Sequence, residues 1–322
     1  MGLAIAGTQR DRSVREASET GQYETAGEKD LPEVVVAHSM VELAFSTNAY
    51  TQYSLPEAVR RIADHGYAGV ELLGDAPHAF FPNFEESDLA AVQDALAETG
   101  IAVSNINANN ASAYYDDAPP SAYFDPTLIT EDDYDRTWRI EYTKDAIDLA
   151  TAVDAPAACV AAGRPLPGTL PEEARETLHE SLHELLDYAE EKGVDLGIEF
   201  EPEMLIESTD EVLELIDEIG RDALGVNLDL GHAAVYGEEP AESVRRCAGT
   251  ITGVHLEDIV GGIRGKHYHR IPGEGDLDFE PVFEALEAIS YDGFVTMELY
   301  TYPDEPDRAA REAYEAVSEY VD

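Results

Sequence analysis

Lysine is almost missing from this 322-residue chain: Lys29, Lys144, Lys192 and Lys266 are all there are. Lysine and arginine together number 20 against 68 aspartates and glutamates, a formal net charge of -48. A surplus of that sign opposes nucleic-acid binding, which depends on neutralising phosphates. Cysteine is equally sparse. Cys159 and Cys247 form no CxxC and no metal-ligand spacing, which argues against a disulfide framework and fits a reducing compartment. Cys159 lies in an apolar run and reads as a small core residue. No apolar run approaches the roughly 20 residues needed to span a bilayer. The first residues have neither the basic region nor the apolar core of a signal peptide. No GxGxxG or GxxxxGK follows an apolar run, so nothing supports a nucleotide-binding fold. The expectation is a soluble cytoplasmic protein that binds neither membrane nor nucleic acid.

What is abundant is carboxylate, and it is spread evenly. Stretches such as "EEARETLHESLHELLDYAEE" carry it along whole helical faces. A specific cationic partner would predict one local acidic tract instead. The even spread resembles proteins of haloadapted organisms, whose surface charge repels itself at low ionic strength and is screened by salt. One stretch breaks the pattern. "RGKHYHR", Arg264 to Arg270, packs three cations and two histidines into seven residues.

Residues 1–39 are polar and aperiodic, and the expectation for them is a disordered extension. From Met40 onward the chain alternates. Eight strand-like runs, "VELAFS", "GVELLG", "IAVSNINA", "AACVAAG", "VDLGIEFE", "LGVNLDLG", "ITGVHLED" and "GFVTMELY", are separated by amphipathic helical stretches. Ser54 with Glu57, and Ser208 with Glu211, read as capping boxes at two helix starts. At 44% hydrophobic residues the length suffices for one large core. Strand-helix alternation repeated eight times predicts a (β/α)8 TIM barrel over residues 40–322. A doubly wound open sheet is the rival. Two long loops, about 109–129 and 261–276, follow the third and seventh runs and should lie on the face where barrel active sites sit.

Polar residues close the last four strands: Glu199 and Glu201, Asp229 and His232, His255 with Glu257 and Asp258, and Glu298. A carboxylate inside a strand is costly unless paired, hydrogen-bonded or bound to metal. Residues two apart on a strand share a face, so Glu199 and Glu201 point inward together or outward together, and either could supply the fifth strand's ligand. An inward set of Glu199, Asp229, His255 and Glu298 offers three carboxylates and one imidazole. That donor set suits one divalent ion: Mn²⁺, Mg²⁺, Co²⁺ or Zn²⁺. A buried ion-pair network is the bland alternative, and only His255 in the set offers positive charge to it.

The motifs "IEFEP", "NLDLGH", "GVHLED", "HYHRIPGEGDLDF" and "VTMELY", in this order and at strand ends, resemble the xylose isomerase-like barrels. That superfamily includes sugar and sugar-phosphate isomerases and epimerases, inosose dehydratases and endonuclease IV. The resemblance implies metal binding by Glu199, Asp229, His255 and Glu298, with Glu199 preferred over Glu201. It implies proton transfer by Glu199 and Glu298 next to a metal-bound carbonyl. It implies that His232 touches substrate or a second metal. Glu71, Glu201 and His269 should face the pocket; Arg264, Lys266, Arg270 and Arg164 are candidate contacts for a carboxylate or phosphate. His78 is an ambiguous loop histidine. The implied function is metal-dependent sugar or sugar-phosphate isomerisation or epimerisation on a small carbohydrate, anionic if those cations read it. Dehydration of a polyol or keto-sugar is the alternative. Endonuclease IV-like repair is less favoured, because the second and third strand runs hold no histidine. A homo-oligomer is compatible with this reading.

If surface carboxylate repulsion governs stability, dialysis from molar KCl to low salt lowers the melting temperature substantially. A melting temperature independent of salt contradicts the haloadapted reading.

Overall fold

The computed structural model describes residues 41–115, 125–260 and 267–321. The expected extension over residues 1–39, together with Arg264 and Lys266, lies outside the described residues. Every strand-like run forms a strand: β1 (Glu42–Ser46), β2 (Gly69–Leu73), β3 (Ala102–Asn107), β4 (Ala157–Ala161), β5 (Asp195–Glu199), β6 (Leu224–Asp229), β7 (Ile251–Leu256) and β8 (Phe294–Met297). All neighbours pair in parallel, and β8 pairs with β1, so the sheet closes in sequence order. This is the (β/α)8 barrel, and the open-sheet rival is excluded.

The helices form for ordinary reasons. In α5 (Thr209–Ile219), Val212, Leu215 and Ile219 recur at helical spacing and are buried. Fully burying each such side chain contributes about 1.5–3 kcal/mol. The same logic sets α1 (Leu55–Asp64), where Leu55, Ala58, Val59 and Ile62 face the core. The two capping boxes differ from expectation. Ser54 sits at the N-cap of α1 but makes no side-chain cap bond. Pro56 occupies the second helical position and has no N–H to give. Glu57 accepts instead from Arg61 at 3.1 Å. At α5, Ser208 Oγ accepts from the Glu211 N–H at 3.3 Å, but Glu211 accepts from the Glu207 N–H at 2.8 Å, so only half a box exists. One departure from strict alternation follows β6, where two short helices, α6 (Leu230–Tyr236) and α7 (Pro240–Arg246), precede β7.

The register brings polar strand ends level. Asp229 pairs with His255, Ala161 with Glu199, and Ser46 with Glu71. Among the described residues no helix is long and apolar enough to cross a membrane.

His78 has a structural place. Thr47 Oγ1 accepts from the Leu73 N–H at 2.9 Å and lies 3.2 Å from His78 Nδ1; Nε2 lies 3.3 Å from the carbonyl oxygens of Tyr50 and Tyr53. Carbonyls only accept, so Nε2 carries the proton and the ring ties the β1 loop to the β2 loop. Burial pushes its pKa down from 6.5 to about 4. A depressed histidine stabilises fully above its unfolded pKa and loses that contribution as pH falls toward the folded value. The gap corresponds to about 3 kcal/mol. Stability therefore falls between pH 6.5 and 4, and a His78→Gln variant loses less over that window. Parallel pH-stability curves for the two proteins contradict the assignment.

Candidate metal centre and active site

The ends of β5, β6, β7 and β8 bring Glu199, Asp229, His255 and Glu298 together. One donor atom from each lies within 4.8 Å of all the others, and all four residues are buried. The geometry around His255 decides which nitrogen faces the cluster. Its Nε2 is 2.6 Å from Glu71 Oε2. Its Nδ1 is 3.1 Å from Glu199 Oε2, 3.8 Å from Glu298 Oε2 and 3.9 Å from Asp229 Oδ2. A proton on Nε2, donated to Glu71, leaves the Nδ1 lone pair for a metal. Glu71 thus stands behind His255 as an orienting carboxylate stands behind a ligand histidine, the arrangement that fixes tautomer and ring angle at metal sites.

In the sequence reading, Glu71 faces the pocket. It is fully buried, accepts from Asn105 Nδ2 at 3.0 Å and Asn107 Nδ2 at 3.2 Å, and does not line the cavity. Asn105 and Asn107 share one face of β3 because they are two residues apart. Asn107 also donates to Glu298 Oε1 at 3.0 Å, as does Asn48. Asn227 donates to Glu199 Oε2 at 2.7 Å. These amides orient the carboxylates without neutralising them. Among the described residues, no lysine or arginine forms an ion pair with Glu71, Glu199, Asp229 or Glu298. The alternation in "NIN" and "NLD" was the available signal for Asn105, Asn107 and Asn227.

The electrostatics follow. Burial alone lowers His255, but Glu71, Glu199 and Glu298 outweigh it and hold the imidazole well above its usual range. Burial raises Glu199, but His255 reverses the direction and the net shift is downward. Burial, with the neighbouring carboxylates, pushes Glu298 well up. Asp229 is buried too, yet His232, His269 and His255 hold it below the carboxylate range. Its Oδ1 accepts from the His232 N–H at 2.6 Å, while its Oδ2 has no hydrogen-bond partner. That orphaned oxygen, an imidazole nitrogen facing the cluster and two further carboxylates fit a divalent cation, and no lysine or arginine among the described residues completes them as an ion-pair network.

Above this centre is a cavity of about 230 Å³. Its lining includes the acids and histidines Glu199, Glu201, His232, His269 and Glu298, together with Asn48, Asn107, Asn109, Asn110, Ser112, Asp75 and Tyr300. Glu201 stands on the wall outside the four-residue group, its carboxyl pushed up to about 7 by burial. His232 Nδ1 lies 3.1 Å from the Phe200 carbonyl, which holds its ring beside Asp229. His269 is carried in by a loop built on Asp258. That carboxylate accepts from the backbone N–H groups of Ile259, Gly273, Gly275 and Leu277 at 2.8–3.0 Å, and the Asp258 backbone exchanges two 2.8 Å bonds with Arg270. A Cβ on Gly275 would lie 2.2 Å from Asp258 Oδ1, so "GEGD" needs glycine there.

Of the candidate cations, the two among the described residues, Arg270 and Arg164, do not line this cavity. Arg270 is exposed, reaches Tyr302 and does not line it. Arg164 is exposed and pairs with Glu203 at 2.8 Å. Neither matches the expected pocket contact, because the segments after β4 and β7 turn both side chains outward. The histidine of "RGKHYHR" enters, and the arginine after it does not.

The chain belongs to the xylose isomerase-like TIM barrel family, whose model matches residues 59–320. An inosose dehydratase of Clostridium perfringens is 31% identical over 144 residues, 40% of this chain; the match spans about half, 48%, of that relative. A fructoselysine 3-epimerase of Shigella flexneri is 26% identical over 274 residues, 84% of this chain and 94% of that one. A solved structure of IOLI protein with a binding zinc atom matches with a TM-score of 0.72 at 19% identity, over 87% of this chain and 98% of that one, a likeness of fold.

Replacing Glu71 by Gln keeps its shape and removes its charge. Divalent-ion affinity should fall by about 10–100-fold, with the metal-free melting temperature changed far less. Unchanged affinity by calorimetry contradicts the orienting role.

Proposed function

We propose that this chain is a divalent-metal-dependent isomerase or epimerase of sugars. The observation that carries the reading is the pair Glu199 and Glu298: both line the cavity, both border His255, and their surroundings push their carboxyls in opposite directions. Environments that separate two carboxyls in this way define a base and an acid. Glu199, Asp229, Glu298 and His255 Nδ1 would hold the ion. When bound, it supplies charge stabilisation at a substrate carbonyl oxygen.

The chain's own groups account for the proton. Glu199 Oε2 is taken by the Asn227 amide, so Oε1 is the oxygen assigned to accept a proton from the carbon next to the carbonyl. The electron pair left behind is delocalised into that carbonyl. Glu298, oriented by the Asn48 and Asn107 amides, returns a proton. Return to the opposite face of the same carbon gives an epimer; return to the former carbonyl carbon, with the hydroxyl proton of the first carbon passing to the former carbonyl oxygen, gives an isomer. The asparagine and serine wall offers donors and acceptors to hydroxyl groups. The described lining holds no lysine or arginine, which favours an uncharged sugar over a phosphate.

Dehydration is the second reading, supported by the likeness to inosose dehydratase. There, Glu298 would protonate a departing hydroxyl instead of carbon.

The test is a panel of ketoses, polyols and their phosphates in D2O, with Mn²⁺, Mg²⁺, Co²⁺ or Zn²⁺ supplied. The expected result is solvent deuterium at the epimerised or isomerised carbon. Glu199→Gln and Glu298→Gln should each lower turnover by about 10²–10⁴-fold. Loss of water without a carbon-bound deuterium in an isomeric product contradicts the first reading and supports the second.

A further inference from the structure

Arg139 is the one lysine or arginine that is buried among the described residues. It projects from α3 (Asp133–Ala152) and pairs with no carboxylate among them. Its Nη2 donates to the carbonyl oxygens of Ala108 and Asn109, the latter at 3.2 Å. Its Nε and Nη1 are buried without a hydrogen-bond partner. Burial pushes its pKa down to about 10, so it remains a cation at neutral pH. A buried charge without a counter-charge is costly, and packing alone does not require one, since a long apolar side chain would fill the same space.

What this cation holds is part of the cavity wall. The Ala108 carbonyl belongs to the peptide before Asn109, and the Asn109 carbonyl to the peptide after it. A charge-assisted donor to both fixes the two peptide planes that flank Asn109, and with them the direction of its side chain and the start of Asn110. Both asparagines line the cavity, and both side-chain oxygens are buried without a partner. The same face of α3 secures the neighbouring loop, where Tyr142, three residues on, donates to the Gly74 carbonyl at 2.7 Å. Asp75, next to Gly74, accepts from the Ser112 N–H at 2.8 Å and from its Oγ at 2.6 Å, which ties the loops after β2 and β3 together. None of these bonds involves Glu199, Asp229, His255 or Glu298.

We propose that Arg139 is a positioning residue for substrate recognition: it holds Asn109 and Asn110 with their amide oxygens in the cavity wall, where they accept from sugar hydroxyl groups. The part given to sugar hydroxyls rests on the proposed function; the hold of Arg139 on the loop does not.

The test uses the full chain loaded with Mn²⁺ and compares wild type with Arg139→Met, Arg139→Lys, Asn110→Ala and the Arg139→Met, Asn110→Ala double variant. Hydrogen exchange read by mass spectrometry should quicken over residues 107–115 in Arg139→Met, return toward wild type in Arg139→Lys, and stay unchanged in the segments carrying Glu199, Asp229 and His255. Mn²⁺ affinity should be unchanged throughout. With the sugar that the ketose and polyol panel identifies, Arg139→Met should raise KM by about 10–100-fold and leave kcat within about threefold. Arg139→Lys should recover most of that loss, and Asn110→Ala should add little once Arg139 is gone, because the two then act on one contact. If Arg139→Met folds poorly, Arg139→Gln, a neutral donor of shorter reach, carries the same expectations. Unchanged exchange over residues 107–115 overturns the proposal whatever the panel gives. So does a fall in kcat with KM unchanged, or full additivity in the double variant. A panel in which no sugar is turned over overturns the proposed function, and the sugar-reading part falls with it, so the two failures are read by different measurements.

Discussion

The structure turns on a repulsion. Five carboxylates, Glu71, Glu199, Asp229, Glu257 and Glu298, are buried at one end of one barrel. Two like charges about 4 Å apart repel by about 4 kcal/mol at an effective dielectric of 20, and a marginally stable fold cannot carry several such terms uncompensated. Among the described residues no lysine or arginine compensates them: each is exposed, pairs elsewhere or, like buried Arg139, donates to backbone carbonyls. What the fold supplies is a set of asparagine amides that point the carboxylates and three imidazoles that partly offset them. A divalent ion would neutralise the remaining charge, so the surplus that costs stability makes this group a candidate ligand set.

That constraint explains why the supporting residues are where they are. Asn105 and Asn107 on β3, Asn227 on β6 and Asn48 after β1 each donate to a carboxylate that belongs to another strand. The barrel's parallel register holds these donors level with their acceptors. Asp258 plays the corresponding part for the loop above: four backbone N–H groups close on one carboxylate, and the segment carrying His269 is thereby fixed over the centre. A polar centre built this way is rigid because each member is bonded to a different strand.

Much of this was legible in the sequence. The eight strands follow from apolar runs of strand length separated by helical periodicity, and the strand-end acids stand out because a carboxylate in an apolar run is costly. The convergence of Glu199, Asp229, His255 and Glu298 follows once the barrel is closed. The role of Glu71 was not legible: its partner His255 is 184 positions away, and nothing local distinguishes a carboxylate that orients a histidine from one that faces a substrate. Arg164 and Arg270 show the converse limit. Both sit beside motifs that enter the site, yet side-chain direction in a loop is set by backbone turns that composition does not specify. The Ser54 box does not form because Ser54 makes no cap bond and the Glu57 carboxylate is taken by Arg61 one turn on.

The central claim is that one divalent ion sits among these four side chains. The most direct measurement is an anomalous difference map from a crystal grown with Co²⁺ or Zn²⁺, recorded at the metal's absorption edge. The account predicts a peak bonded to His255 Nδ1 and to one oxygen each of Glu199, Asp229 and Glu298, at about 2.0–2.2 Å, with Glu71 still hydrogen-bonded to Nε2. No peak between those four residues at saturating metal, or an ion held by Glu201 while His255 Nδ1 remains bonded to Glu199, would contradict it.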